Sequence, residues 1–240
     1  MRSQTRGERG AGEMTGKVIT IDGPAGSGKS TVSRALAAKL QYLYLDTGAL
    51  YRALAYKALK INLDMNHPAK LAEFCSTTEV TLKNVNGKMT VWVDGEDVGE
   101  KIRTEEVGLA ASAISAFPVV REKLLSLQRE AGAGGGIVAE GRDMGSVVFP
   151  DADFKFYLDA DLEERIRRRH DELVSKNRAA ERSAISRDMK ARDAQDTNRK
   201  IAPLTSAPDA VVIDSTSLTV SEVLREILEH LQDPLIADTK

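Results

Sequence analysis

An eight-residue stretch near the start of the chain constrains the fold more than any other part of the sequence. Residues 23–30 read Gly-Pro-Ala-Gly-Ser-Gly-Lys-Ser and fit the pattern G-x-x-x-x-G-K-[ST] at every fixed position. The β-branched run Val18-Ile19-Thr20-Ile21 precedes the stretch, and Val32, Leu36 and Leu40 follow it at helical spacing. A buried strand, a glycine-rich loop and a helix in this order predict an α/β protein with a phosphate-binding loop.

The residue types in this loop suit the binding of a nucleoside triphosphate. Glycines let several backbone N–H groups point at phosphate oxygens, and the start of the following helix adds positive potential. Lys29 is expected to reach the β- and γ-phosphates of ATP, and the Ser30 hydroxyl is placed to ligate Mg²⁺. The predicted ATP-binding residues are Gly23, Pro24, Ala25, Gly26, Ser27, Gly28, Lys29, Ser30 and Thr31.

Bulk properties exclude several other classes of protein. The 240 residues are 42% hydrophobic and carry a net charge of −2, so neither nucleic acid nor a membrane is an expected partner. Cys75 is the single cysteine, which excludes an internal disulfide and suits the cytoplasm. Residues 1–14 are predicted to be a disordered leader. Nothing in the sequence demands a second chain, so a monomer is expected.

Five short apolar runs predict the core strands, and each is followed by a helix or a loop. They are residues 18–21, 42–45, 137–139, 154–158 and 211–213. This rhythm stops between about Ile61 and Phe117, where Val91 and Val93 alternate with polar residues after the turn signal Asn86-Gly87. We therefore expect an inserted antiparallel sheet there.

The sequence also predicts helix starts and domain boundaries. Asp161 with Glu164, and Thr219 with Glu222, have the spacing of capping boxes. The expected division is a core of residues 15–60, 116–160 and 203–240, an inserted domain of residues 61–115, and a lid with substrate-contacting helices over residues 161–202.

Among proteins with such a loop, a small-molecule kinase fits best. A switch GTPase needs an Asn-Lys-x-Asp segment to read guanine, which the sequence lacks, and a large motor ATPase needs a longer chain. Phosphoryl transfer needs cationic groups around the transferred phosphoryl. Arg52 and Arg142 follow predicted strands, and a cationic stretch runs from Arg165 to Arg199. A solvated helix face is the alternative for that stretch, but its interspersed acids favour a lid over nucleic-acid binding.

Four segments together resemble the bacterial cytidylate kinases, a family of P-loop nucleoside monophosphate kinases. They are Thr20-Ile21-Asp22-Gly23-Pro24, residues 45–52 (Leu-Asp-Thr-Gly-Ala-Leu-Tyr-Arg), residues 141–150 (Gly-Arg-Asp-Met-Gly-Ser-Val-Val-Phe-Pro), and Arg192-Asp193 with Asn198-Arg199 and Ala202-Pro203-Leu204. The resemblance extends from about Lys17 to Leu231. It implies a three-layer fold with a five-stranded parallel sheet in the order 2-3-1-4-5, an inserted domain for the nucleoside monophosphate, and a short helical lid. It also implies transfer of the ATP γ-phosphate to CMP or dCMP.

The family's residue roles carry over by motif position. The resemblance implies that Ser112, Arg121 and Asp143 read cytosine, that Thr47, Arg192 and Asp196 contact the sugar, that Arg52, Arg142 and Arg199 bind phosphates, and that Tyr51 also lines the substrate site. The implied catalytic residues are Lys29, Arg142, Arg168 and Arg199, with Arg168 as a lid or adenine-side contact. A carboxylate accepts from the N4 amino group of cytosine, whereas uracil presents an acceptor there. Two alternatives stay open: a small P-loop kinase for UMP, AMP or a non-nucleotide acceptor, and a nucleotide-binding sensor without activity.

Overall fold

A computed structural model of the chain describes residues 16–85, 88–177 and 181–232. The strands are β1 (Val18–Asp22), β2 (Leu43–Asp46), β3 (Val80–Val85), β4 (Lys88–Val93), β5 (Glu96–Asp97), β6 (Ile137–Glu140), β7 (Phe154–Asp159) and β8 (Val211–Asp214). The helices are α1 (Lys29–Leu40), α2 (Thr47–Lys60), α3 (Pro68–Thr77), α4 (Glu105–Ile114), α5 (Pro118–Gly132), α6 (Leu162–Ser175), α7 (Arg182–Asn198) and α8 (Val220–Gln232), with a π-helical turn at Met144–Val148. The expected leader and the Asn86-Gly87 turn lie outside the described residues.

A five-stranded parallel sheet forms the centre of the fold. Its order is β2-β6-β1-β7-β8, and every neighbouring pair is parallel. The predicted order 2-3-1-4-5 is therefore confirmed. Ile19 and Ile21 on β1 are buried among side chains of α1 and α8, and Ala139 on β6 packs on the opposite face with Met144 and Val148. A sheet covered on both faces accounts for the uninterrupted apolar runs in the sequence.

The inserted strands extend the main sheet instead of forming one of their own. β3 and β4 are antiparallel, with Val80 opposite Val93, and β5 pairs with β4. The antiparallel arrangement was predicted, but β4 also joins the edge strand β2 through the pair Tyr44 and Lys88. An unpaired strand edge offers free backbone groups, which is the physical reason that a neighbouring strand attaches there.

Helices α2 to α5 build a second apolar core beside β3 and β4. Leu50 and Leu54 of α2 are fully buried there, together with Leu71 of α3, Ile114 of α4 and Leu124 of α5. α2 and α4 pack against each other, and α4 also contacts α7. This core places the amino-terminal end of α2 beside the carboxyl end of the parallel sheet.

The two predicted capping boxes have different outcomes. At α8, Glu222 accepts from the Thr219 backbone N–H at 2.8 Å, and Thr219 Oγ1 accepts from the Glu222 N–H at 3.3 Å. At α6, Asp161 is the N-cap residue as predicted, but its side chain makes no cap hydrogen bond and Glu164 instead binds arginines of its own helix. Charged partners one turn away compete for that carboxylate. Within the described residues, no helix is long and apolar enough to cross a membrane.

Candidate active site

A cleft of about 1390 Å³ opens at the carboxyl end of the parallel sheet. The glycine-rich loop and α6 line it, together with residues of α2, α4, α7 and the segment after β6. All of the predicted site residues line this cleft except Gly23 and Pro24, which lie at the start of the loop. The carboxyl edge of an open parallel sheet is where α/β proteins bind ligands.

The loop has the backbone conformation that its glycines allow. Gly23, Gly26 and Gly28 have φ values of 143°, 79° and 94°. A Cβ atom on Gly23 would lie 2.0 Å from the carbonyl oxygen of Leu158, so no other residue fits at that position. The sequence pattern and the backbone therefore agree on a loop whose N–H groups are free to turn inward.

Lys29 begins α1 and is buried in the cleft wall. Its ammonium donates to the Pro24 carbonyl oxygen at 2.6 Å. Burial, reinforced by the charge of Arg142, lowers the pKa of Lys29 to about 7. A phosphate placed beside this ammonium would favour its charged form.

Ser30 binds to a pair of buried residues, Tyr44 and Glu140, that sequence reasoning missed. Its hydroxyl donates to Glu140 Oε2 at 2.8 Å, and the Tyr44 hydroxyl donates to Glu140 Oε1. Burial, followed by the nearby charge of Asp46, raises the pKa of Glu140. The one signal in the sequence is that Glu140 ends a buried strand beside the strand that leads into the loop.

Asp143 and two arginines meet on the opposite side of the cleft. The Asp143 carboxylate pairs with Arg121 and accepts from Arg199 at 3.4 Å. Burial raises the pKa of Asp143 even though the charge of Arg121 opposes this shift. The Arg121 guanidinium also lies 5.7 Å from the centre of the Tyr51 ring. The structure thus brings together four residues that the resemblance assigned to substrate binding.

A second carboxylate, Asp196, organises the adjacent arginines. Arg142 donates to it at 2.8 Å, and a terminal nitrogen of Arg199 lies 4.0 Å away. Ser112 lies beside it, with its hydroxyl 3.0 Å from Gln195 Oε1 and 3.5 Å from Asp196 Oδ1. Arg192 lies on the same helix as Asp196, and burial, aided by the charge of Arg142, lowers the pKa of Arg192 to about 10. This part of the cleft carries more arginines than carboxylates, as an anionic ligand requires.

The start of α2 forms a third cationic corner. Asp46 caps the helix by accepting from the Ala49 N–H at 3.0 Å, and it binds Arg52 at 2.7 Å and Arg103 at 3.0 Å. Burial alone would raise the pKa of Asp46, but the two arginines hold it below its usual range. Thr47 donates from Oγ1 to the Glu140 carbonyl oxygen at 2.7 Å. Asp46 and Arg103 were missed as site residues.

Two arginines of α6 brace the glycine-rich loop. Arg168 donates to the Ser27 carbonyl oxygen at 3.3 Å and to Ser215 Oγ at 3.0 Å. Arg165 donates to the Ala25 carbonyl oxygen at 3.1 Å and to Asp193 at 2.6 Å. Arg168 was expected near the lid or the adenine side, whereas Arg165 was missed because the cationic run does not reveal which member turns inward.

Asp22 is a further buried carboxylate that sequence reasoning missed. It accepts from the backbone N–H groups of Met144 and Gly145, each at 2.8 Å. Burial raises the pKa of Asp22 to about 6. The residue lies between the glycine-rich loop and the segment that carries Arg142 and Asp143.

Comparison with known proteins identifies relatives along nearly the whole chain. The family model described as cytidylate kinase matches residues 19–233. The cytidylate kinase of Desulfitobacterium hafniense (strain Y51) is 45% identical over 215 residues, which cover 90% of this chain and 92% of that protein. The cytidylate kinase of Geobacter sp. (strain M21) is 47% identical over the same coverage. A solved structure of shikimate kinase from Acinetobacter baumannii has a TM-score of 0.42 and 18% identity, covering 94% of this chain and 97% of that chain.

Proposed function

Because the chain belongs to the cytidylate kinase family, we propose that it transfers the γ-phosphoryl group of ATP to CMP or dCMP, giving ADP and CDP or dCDP. The observation that carries this proposal is the composition of the cleft. One side is a glycine-rich loop with Lys29, and the other holds a carboxylate, Asp143, between Arg121 and Arg199. A single cavity thus has groups suited to a triphosphate and groups suited to a cytosine base.

The donor side fits ATP with Mg²⁺. Bound ATP would place its phosphates against the loop N–H groups and the Lys29 ammonium. The Ser30 hydroxyl and the Glu140 carboxylate are 2.8 Å apart and supply oxygen atoms, the ligand type that Mg²⁺ prefers. They are the residues that would hold the ion, whose contribution when bound is to neutralise charge on the phosphates.

The acceptor side fits the base, sugar and phosphate of CMP. The Asp143 carboxylate has only acceptors and suits the cytosine N4 amino group, while arginine donors suit its N3 and O2 atoms. We propose that Asp196, with Arg192 and Thr47, contacts the sugar. Arg52, Arg142 and Arg199 provide the positive charge that an acceptor phosphate needs.

The chemistry depends on alignment and charge neutralisation. A phosphate monoester is already a nucleophile at neutral pH, so no general base is needed. Lys29 and the arginines of the cleft stabilise the negative charge that develops on the transferred group. We also propose that residues 61–115 act as a domain for the monophosphate and that residues 161–202 act as a lid, which together exclude water.

The test is ADP release from ATP and Mg²⁺ with CMP, dCMP, UMP, AMP, GMP and dTMP in turn. We expect fast turnover with CMP and dCMP, slow turnover with UMP, and none with the purines. The best turnover with UMP or AMP would keep the kinase and overturn the roles of Asp143 and Arg121. ATP binding without turnover on any acceptor would favour a nucleotide sensor. The proposal further includes a monomeric enzyme in the cytoplasm, which gel filtration and fractionation of cells test.

A further inference from the structure

Asp22 links the glycine-rich loop, which it precedes, to the turn that follows Asp143, whose backbone it binds. It is the last residue of β1, the central strand of the parallel sheet, and it directly precedes Gly23. Only 3% of Asp22 is exposed. Side chains alternate along a strand, so Asp22 lies on the same face as Thr20, away from Ile19 and Ile21. That face carries the π-helical turn Met144–Val148, because a Cβ atom on Gly145 would lie 3.0 Å from Thr20 Oγ1.

Both oxygens of the Asp22 carboxylate are used by the backbone of this turn. Oδ1 accepts from the Met144 N–H and Oδ2 accepts from the Gly145 N–H, each at 2.8 Å. Asp143 immediately precedes these residues and is the residue from which the turn starts. The carboxylate therefore fixes the chain at the two positions that follow Asp143.

The choice of a carboxylate at this buried position has a chemical reason. A buried ionisable group costs more to desolvate than a neutral one, and the raised pKa of Asp22 reflects that cost. Two N–H groups that point at one side chain need two acceptor oxygens. Among side chains of this size, a carboxylate supplies two and an amide supplies one.

The position of Asp143 decides which base atoms it meets. Its carboxylate lies between Arg121 and Arg199, and both pairs depend on where the backbone at Asp143 sits. Resting on the proposed function, we infer that Asp22 is a positioning residue for cytosine recognition. It holds the turn at Met144 and Gly145 so that the Asp143 carboxylate faces the N4 amino group of the base.

The first test is the variant Asp22→Asn. Asparagine keeps the size of the side chain but offers one oxygen, and its NH₂ group opposes a backbone N–H. The ratio of kcat/KM for CMP to kcat/KM for UMP should fall about tenfold or more, because Asp143 loses its alignment with the base. The KM for ATP should stay at the wild-type value. Calorimetric titration of CMP without ATP should give a matching loss of affinity.

The matched control variant replaces Asp153, which binds the opposite end of β1. Asp153 accepts from the Val18 N–H at 2.8 Å, so it is a carboxylate that secures the first residue of β1, far from the cleft. The variant Asp153→Asn should leave the CMP-to-UMP ratio at the wild-type value. If a general loosening of β1 caused the effect, the CMP-to-UMP ratio would fall in both variants. The proposed role predicts that the ratio falls only in Asp22→Asn.

A second variant keeps the test decisive if Asp22→Asn does not fold. In Gly145→Ala the new Cβ would lie 3.0 Å from Thr20 Oγ1 and 3.2 Å from the Lys155 side chain, so the turn or these side chains must move by a few tenths of an ångström while Asp22 stays intact. We expect the CMP-to-UMP ratio to fall in this variant too. A ratio that stays at the wild-type value in Gly145→Ala would overturn the inference.

The outcomes separate this inference from the proposed function. If wild-type protein does not prefer CMP, the proposed function fails and the role of Asp22 fails with it. If wild-type protein prefers CMP and a folded Asp22→Asn variant keeps the same preference, only the role of Asp22 is overturned. A change in the KM for ATP with an unchanged CMP-to-UMP ratio would likewise overturn it, since Asp22 would then serve only the loop.

Discussion

Replacing Asp143 with asparagine should shift the base preference from CMP toward UMP more than any other single change in the cleft. Asp143 is 2% exposed and presents only acceptor atoms. Cytosine offers the N4 amino donor, and uracil offers the O4 acceptor at the same position. In Asp143→Asn the side chain gains an NH₂ group, which can rotate to donate to O4 of UMP.

The magnitude follows from two changes of opposite sign. CMP loses a charge-assisted hydrogen bond in a buried site, which costs about 1–3 kcal/mol. UMP no longer faces a carboxylate that leaves its O4 unpaired, and this gains about 1–2 kcal/mol. Together they predict that the CMP-to-UMP ratio of kcat/KM falls by about 30-fold to several thousandfold. The weakened pair with Arg121 also lowers stability, but that effect is common to both substrates and cancels in the ratio.

The assay is steady-state ADP release with CMP and UMP at saturating ATP. The matched control is Asp46→Asn, because the Asp46 side chain is only 12% exposed and also binds two arginines, Arg52 and Arg103. Asparagine still caps α2 well. Since Asp46 borders the proposed phosphate site, Asp46→Asn should weaken CMP and UMP alike and leave their ratio unchanged. An unaltered ratio in Asp143→Asn, or an equal fall in both variants, would refute the base-reading role.

Three further predictions concern charged side chains in and beside the cleft. Lys29→Met should lower turnover by about a hundredfold or more, and normal turnover would contradict the loop assignment. Thermal unfolding of this variant should show an unchanged or raised Tm, because burial lowers the pKa of Lys29 to about 7 and so disfavours its charge. The pKa of Asp22 is raised from 3.8 to about 6, so the protonated side chain stabilises the fold fully below pH 3.8. As the pH rises through 6, the free energy of unfolding should fall by about 3 kcal/mol. Urea unfolding between pH 4 and 7 should show this loss in the wild type and not in Asp22→Asn, and parallel curves would argue against it. Arg168→Met should raise the KM for ATP while the KM for CMP stays unchanged, because its hydrogen bonds support the loop at Ser27; an effect on CMP alone would place Arg168 elsewhere.

The parts of the fold that sequence predicted best are those set by neighbouring residues. Gly23 to Ser30 specify a loop because each glycine allows a backbone conformation that other residues resist. The strand that ends at Glu140 and the helix that starts at Pro118 were predicted from local patterns of apolar residues and of proline. At α6, Asp161 is the N-cap residue as predicted, but Glu164 does not complete a capping box because it has arginine partners on its own helix. Local spacing alone does not say which partner such a carboxylate binds.

The missed site residues have in common that their partners are far away in the chain. Asp22 binds the backbone at Met144 and Gly145, and Glu140 accepts from Ser30. An isolated acidic residue at the end of a strand looks the same in the sequence whether it is buried or solvated. Arg165 shows the same limit, since only the packing of α6 turns its guanidinium toward the loop and not to solvent.

The pairing of charges in the cleft explains how so many arginines stay ordered beside one another. Arg52, Arg121 and Arg142 each have a carboxylate partner, respectively Asp46, Asp143 and Asp196. A buried guanidinium without a partner is costly, so these pairs hold the cations in place before substrate arrives. An incoming phosphate must then compete with a carboxylate for each arginine that it contacts. The paired arginines therefore add less to the affinity for phosphate than their charge suggests. Because the carboxylates hold them in place, they orient the substrate, which a reaction governed by alignment requires.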